Sequence, residues 1–246
     1  MKDYVAPSDL LQDRVILVTG AGQGLGRVAA LAYAAHGATV ILHGRDEGRL
    51  EAVYDEIEEA GGPQPAIHPL DLAMADDEEY EALAQAIRSQ FGRLDGILHN
   101  AGAFYTLSPL QDQTQAQWMH MLKTNLVAPF ALTRACFPLL RSAPDGSVIL
   151  TGDSRGVAPA AYWGGYAVAK SGLQTFLRIA AEEWEMHPNL RINLMIPGPV
   201  RSPQRNRSHP GEDKSSLPAM GSLLPYYLFL IGPDSRGYTG KMIEVQ

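Results

Sequence analysis

The chain has 246 residues, a formal net charge of −7, and 46% hydrophobic and 19% charged residues. That length suits one α/β domain able to bury a core, and the acidic balance argues against broad nucleic-acid or anionic-membrane binding. The only cysteine, Cys136, excludes an intrachain disulfide; with no secretory start in residues 1–13 and no bilayer-length apolar run, it predicts a cytoplasmic protein.

Strand and helix patterns alternate along the chain. Residues 14–19 predict a short apolar strand ending at glycines, and 25–36 an Ala-rich helix. Strand 38–43 and a charged amphipathic helix over 46–60 follow, then strand 64–70, helix 76–90 and strand 94–99. A long helix is predicted over 114–140, with Pro129 and Pro138 as kinks or boundaries. Strand 147–151, helix 164–186 and strand 190–196 complete the main alternation. Residues 197–218, rich in Pro, Ser, Arg and Asn, predict a mobile substrate loop over about 198–218. A short helix over 223–231 and a last strand over 241–245 follow. The alternation predicts a parallel sheet with helices on both faces, joined by right-handed crossovers.

The first strand meets the first helix through Thr19-Gly20-Ala21-Gly22-Gln23-Gly24-Leu25-Gly26. Glycines there let the backbone turn sharply and approach a pyrophosphate, whose charge the helix N-terminus meets. Strand before and helix after make this a nucleotide loop and not a bare βα turn. The second strand ends His43-Gly44-Arg45-Asp46, without the carboxylate that would hold a ribose 2′-hydroxyl. Arg45 suits a 2′-phosphate and Gly44 leaves it room, while Asp46 is needed as a helix N-cap. NADP is therefore favoured over NAD. Asp71-Leu72 is read either as an adenine contact or as a second helix cap.

Tyr166 and Lys170 lie four apart in a helical stretch, so phenol and ammonium share one face. An ammonium near a phenol stabilises the phenolate, which suits it to proton transfer with an alcohol or carbonyl.

With loop and pair together, the chain resembles the short-chain dehydrogenase/reductase superfamily along nearly its full length. The glycine loop is similar to that family's Thr-Gly-x-x-x-Gly-x-Gly, and His99-Asn100-Ala101-Gly102 to its Asn-Asn-Ala-Gly element. Asn125 matches the asparagine supporting a proton-relay water, and Pro197-Gly198-Pro199-Val200-Arg201-Ser202 the nicotinamide-side segment. The resemblance implies a single-domain Rossmann-type fold over residues 1–246. It implies Tyr166 as acid/base, and Lys170 holding the nicotinamide ribose while lowering the phenol's pKa. It places Gly20, Gly22, Gln23, Gly24, Leu25, Gly26, Asn100, Ala101, Gly102, Pro197, Gly198, Val200 and Ser202 around the cofactor. It also implies a homo-oligomer, dimer or tetramer, through the helices near Trp118 and Phe176.

One position departs from the pattern. The family's serine stands 13 residues before the tyrosine, where this chain has Asp153, with Gly156 in the matching register. A carboxylate cannot donate to a substrate carbonyl, and it opposes a nearby tyrosinate. Three arrangements would relieve this: a protonated Asp153, an Asp153 turned toward Arg155, or Ser154 supplying the hydroxyl. Ser154 is the preferred donor. The residues thus predict an NADP-dependent oxidoreductase of alcohols or carbonyls using Tyr166, Lys170, Asn125 and Ser154 or Asp153. The alternative is a cofactor-binding sensor or scaffold with weak catalysis; an isomerase or dehydratase on the same frame is a third reading. Tyr162, Trp163, Phe104 and Tyr105 are candidate pocket walls, and Arg201, Arg205, Arg207 and His209 a basic cluster in the loop. No spacing predicts a metal site.

Overall fold

Short apolar runs that can be buried on both faces become the central strands. In the computed structural model, which describes residues 1–245, β1 (Val15–Thr19), β4 (Gly96–His99), β5 (Gly146–Thr151) and β6 (Leu190–Ile196) are buried end to end, as covered parallel strands must be. With β2 (Thr39–Gly44), β3 (Ala66–Pro69) and β7 (Met242–Glu244) they form one seven-stranded parallel sheet ordered β3-β2-β1-β4-β5-β6-β7. The order reverses between β1 and β4, and a crevice opens there beyond the strands' carboxyl ends.

Helices α1 (Gly24–Ala35), α2 (Glu47–Glu59) and α9 (Leu224–Ile231) pack one apolar layer around Tyr33, Leu50 and Tyr227. The other layer, around Leu83, Leu132 and Leu177, comes from α3 (Asp77–Phe91), α5 (Ala128–Ser142) and α7 (Gly164–Glu183). Polar anchoring sits away from the crevice. The Asp145 carboxylate, just before β5, takes Arg191 from β6, Arg14 at 2.5 Å and Arg236 at 3.3 Å. Burial alone would raise its pKa, but the hydrogen bonds and charges of Arg191 and Arg14 win and hold it below the ordinary value.

The structure corrects two expectations. The predicted long helix is α4 (Gln115–Leu122) and α5 joined by a π-helical turn, Lys123–Val127. The Ala128 N–H reaches back five residues to the Lys123 carbonyl. Pro129, the second residue of α5, has no N–H for the Asn125 carbonyl, so the break falls one turn before the proline. Pro138 lies inside α5 without ending it. The expected loop over 198–218 contains α8 (Pro203–Ser208) and a 3₁₀ turn, Lys214–Ser216. Ser202 caps α8 by accepting from the Arg205 N–H at 3.2 Å, and Pro203 occupies its first turn. Arg205 is bidentate to Glu212 and ties the following segment back onto α8. One short helix was not foreseen, α6 (Ser154–Val157). No helix among the described residues is long and apolar enough to cross a membrane.

Candidate active site

A cleft of about 940 Å³ opens at the switch between β1 and β4. Its floor is set by Thr19, whose hydroxyl accepts from the Asn100 and Ala101 N–H groups, both at 3.0 Å. This draws the β4 end against the glycine loop, and Gly20 pays for the approach in backbone conformation, with φ +68°. A Cβ on Gly20 would stand 3.0 Å from the Ala101 Cα, and one on Gly26 would strike the Gly20 carbonyl. Helix α1 starts at Gly24 with no side chain capping it and no acidic residue in its first turn. Free N–H groups and the positive end of the helix therefore face the cleft, an arrangement suited to phosphate. Gly22, Gln23, Leu25 and Gly102 line the same space.

At the end of β2 the basic groups come in a pair. Asp46 caps α2, accepting from the Arg49 N–H at 3.2 Å. Arg45 is exposed and only 3.8 Å from Asp71, a weak contact. Arg49, one turn on, meets Asp46 at 2.9 Å and donates to the Gln23 side chain of the glycine loop. Two guanidinium groups thus flank the cleft mouth at the end of β2, and the Asp46 carboxylate between them is held by its own helix. Asp71 does not cap α3, which Asp76 does in a capping box. Its carboxylate instead accepts from the Ala73 N–H at 3.0 Å, and both Asp71 and the buried Leu72 line the cleft.

Across the cleft, Tyr166 and Lys170 project from α7 as the spacing required, both buried. The Tyr166 hydroxyl donates to Asp153 Oδ2 at 3.0 Å and accepts from Gln204 Nε2 at 2.5 Å. The other Asp153 oxygen accepts from the Arg155 N–H at 2.8 Å, capping α6. Asp153 therefore faces the phenol and does not turn to the Arg155 guanidinium, which lies 5.5 Å over the Trp163 ring. Ser154 is exposed at the start of α6; it lines the cleft, but Asp153 is the side chain that meets Tyr166.

Lys170 Nζ donates to the Thr151 carbonyl at 2.7 Å and sits 5.8 Å from the centre of the Tyr166 ring. Burial lowers its pKa to about 8 against the opposing charge of Asp153. The phenol goes the other way. Burial, then the charge of Asp153, push Tyr166 well above its ordinary value, and the Gln204 amide only partly offsets them. The net direction is therefore upward, opposite to the lowering the resemblance implies.

Asn125, in the π turn, is buried and consumed by backbone: Nδ2 donates to the carbonyls of Ala103 and Met121, both at 2.8 Å, and Oδ1 accepts from the Ala103 N–H at 3.2 Å. It fastens the π turn to the segment after β4. Pro197, Gly198, Val200 and Ser202 form the opposite rim, and a Cβ on Gly198 would stand 2.5 Å from the Val245 carbonyl. Trp163 lines the cleft, and Phe104 meets Tyr166 edge-on at 5.3 Å. Tyr105 and Tyr162 are exposed and outside it. Of the basic cluster, Arg205, Arg207 and His209 line the cleft and Arg201 does not.

Two residues of the site escaped the sequence reading. Arg49 had a signal, since it follows Arg45 by four positions in a helix's first turn. Gln204 had half of one: Ser202-Pro203 is a helix start, but nothing local announces contact with a tyrosine 38 residues earlier.

Residues 14–213 match the short chain dehydrogenase family. The uncharacterized oxidoreductase YciK of Escherichia coli (strain K12) is 41% identical over 243 residues, 99% of this chain and 96% of that protein. Levodione reductase of Leifsonia aquatica is 30% identical over 203 residues, covering 82% of this chain and 75% of the reductase. Among solved structures, a Shigella flexneri chain in complex with NADP superposes with a TM-score of 0.93 at 41% identity, covering 97% of this chain and 99% of that one. An Escherichia coli chain with NADPH gives 0.94 at 41% identity, with 98% and 99% covered. The chain belongs to the short-chain dehydrogenase family and is an NAD(P)-dependent oxidoreductase of CH–OH and C=O groups.

Proposed function

We propose that the chain uses NADP(H) in preference to NAD(H), with Tyr166 as the acid/base at an alcohol or carbonyl carbon. The observation that carries this reading is the single cleft that joins the glycine cradle, the Arg45/Arg49 pair and the Tyr166 hydroxyl. Gly20, Gly22, Gly24 and the α1 N-terminus would hold the pyrophosphate, Arg45 and Arg49 the 2′-phosphate, and Asn100 to Gly102 and Pro197 to Val200 the nicotinamide half. Bound there, the cofactor supplies or accepts a hydride at the substrate carbon. Tyr166 transfers the proton at the substrate oxygen. Lys170 adds positive charge beneath the phenol. Asn125 fixes the π turn, where Pro129 withholds an N–H from the Asn125 carbonyl and leaves an acceptor for a relay water. Gln204 orients the phenol by donating to its oxygen.

The NADP-bound and NADPH-bound neighbours support the cofactor choice. Its test is the ratio of NADPH to NADH dissociation constants: the reading expects tighter NADPH binding, and tighter NADH binding would overturn it. A second reading, cofactor binding with little carbonyl chemistry, is favoured by the Asp153–Tyr166 contact, which holds the phenol as a donor to a carboxylate.

A further inference from the structure

The chain carries 27 acidic against 20 basic residues, yet one side of the cleft is lined by cations. Arg155 comes from α6, Arg205 and Arg207 from α8, and His209 from the end of α8. Trp163 ties this side to the phenol. Its ring lies 5.9 Å from that of Tyr166, 5.8 Å from that of His209 and 5.5 Å from the Arg155 guanidinium.

These cations differ in how they are met. Arg205 is bidentate to Glu212, so its charge is answered within its own segment. Arg155 and Arg207 meet no carboxylate among the described residues. Asp153 accepts from the Arg155 backbone N–H and from the Tyr166 hydroxyl, and leaves the guanidinium alone. Arg155 is half-buried, with its guanidinium over the Trp163 ring. A guanidinium seated on a ring keeps the N–H edge of its own plane free, and that edge matches a carboxylate through two parallel hydrogen bonds. Like charges already crowd this corner: burial, then Arg205, with Arg155 and Lys214 adding to them against Glu212, holds His209 below its ordinary pKa. An anion would relieve them. The 2′-phosphate is not that anion, because Arg45 and Arg49 follow β2 and Arg155 follows β5, three strands along the sheet, or roughly 14 Å.

We infer that the substrate is an organic anion, an oxo acid or its hydroxy acid, whose carboxylate is taken by Arg155 on the cation-lined side of the cleft while its reacting carbon faces Tyr166. The inference rests on the proposed reading of Tyr166 and names a substrate class for it. In the reductive direction the ketone carbon takes a hydride with its electron pair from NADPH, which leaves as NADP⁺. The C=O π pair passes to the oxygen, which takes the Tyr166 proton, and the phenolate regains a proton from water. The carboxylate keeps its charge and all its bonds. Its grip by Arg155 fixes which carbon comes to the phenol, and a neutral ketone lacks that hold.

The test compares ketones of one outline and different charge. 4-Acetylbenzoate and 4-acetylbenzamide, and the flexible pair 4-oxopentanoate and 4-oxopentanamide, are titrated calorimetrically into the protein, unloaded and loaded with NADP⁺, which cannot reduce them. The natural protein should bind at least one acid about ten-fold or more tightly than its amide in both states. Arg155→Gln keeps the N–H that Asp153 accepts from, and its thermal melt confirms folding; it should bind acid and amide about equally. Arg201→Gln removes a charge of the same segment outside the cleft and should keep the preference. Equal binding by the natural protein, binding of neither acid, a preference surviving in Arg155→Gln, or one lost in Arg201→Gln would overturn the inference. Turnover gives a second readout. With NADPH the favoured acid should show a kcat/KM about ten-fold above its amide, and a ratio of one or less would overturn the inference. Failure of the Tyr166 reading looks different: no ketone turns over, while the Arg155-dependent acid preference of the unloaded protein stands.

Discussion

Replacing Asp153 by Ser removes a carboxylate 3.0 Å from the Tyr166 oxygen. The repulsion between that carboxylate and a phenolate is roughly 1.4 kcal/mol in bulk water and roughly 5.5 kcal/mol at an effective dielectric constant near 20. Asp153→Ser should therefore lower the Tyr166 pKa, because it removes the charge that, after burial, holds it up. The sign is fixed: losing a negative neighbour favours the charged phenolate. Tyrosinate absorbance is followed against pH in Asp153→Ser and in the double variant that also carries Tyr166→Phe; their difference isolates Tyr166 from the other tyrosines. Carbonyl reduction should rise in the same single variant, because the new hydroxyl can donate to the substrate oxygen. A Tyr166 pKa no lower in Asp153→Ser than in the natural protein would refute the reasoning, and the assignment of Asp153 as the charge governing the phenol would fall with it.

Three further outcomes are expected. Arg45→Ala and Arg49→Ala should each weaken NADPH binding by about ten-fold and leave NADH binding nearly unchanged, measured by fluorescence titration; equal losses for both cofactors would contradict a 2′-phosphate role. Gln204→Leu removes the amide that donates to the phenol, so the Tyr166 pKa should rise and turnover fall by about ten-fold, while the NADPH dissociation constant holds. Asp145→Asn should destabilise the fold by about 3–5 kcal/mol near neutral pH, since it strands Arg191 without its carboxylate. The pH sign follows from a carboxyl held below its ordinary value: its contribution is full above about 3.9 and disappears as pH falls through the lower folded value. The gap between the natural protein and Asp145→Asn should therefore close in acid melts.

The layered sheet was readable because its signals are local and repeated. Runs such as Val15–Thr19 and Leu190–Ile196 are mostly apolar, and the intervening helices carry their own caps, Asp46 and Asp76 among them. The π turn was not readable, because its cause is a carbonyl deprived of a donor four residues ahead and an Asn125 side chain bonded to Ala103, 22 residues back. The segment over 198–218 was misread by composition: Pro and Ser there start a helix, in a place where the same residues more often mark a turn.

The site divides along the same line. Glycines, Arg45, Tyr166 and Lys170 announce themselves by spacing, since one strand, one turn or one helix positions each group. Asp153 was visible by register, but which of three arrangements it takes depends on α6, a short helix it caps itself. Gln204 and Arg49 act through contacts between elements, with Tyr166 and Gln23 respectively.

The most direct test of the central claim is single-turnover reduction by the NADPH-loaded protein and its Tyr166→Phe variant, across a panel of ketones and aldehydes. The account predicts that the natural protein oxidises its bound NADPH and that the variant, binding NADPH as tightly, does not. A Tyr166→Phe variant that turns over at the natural rate would contradict it.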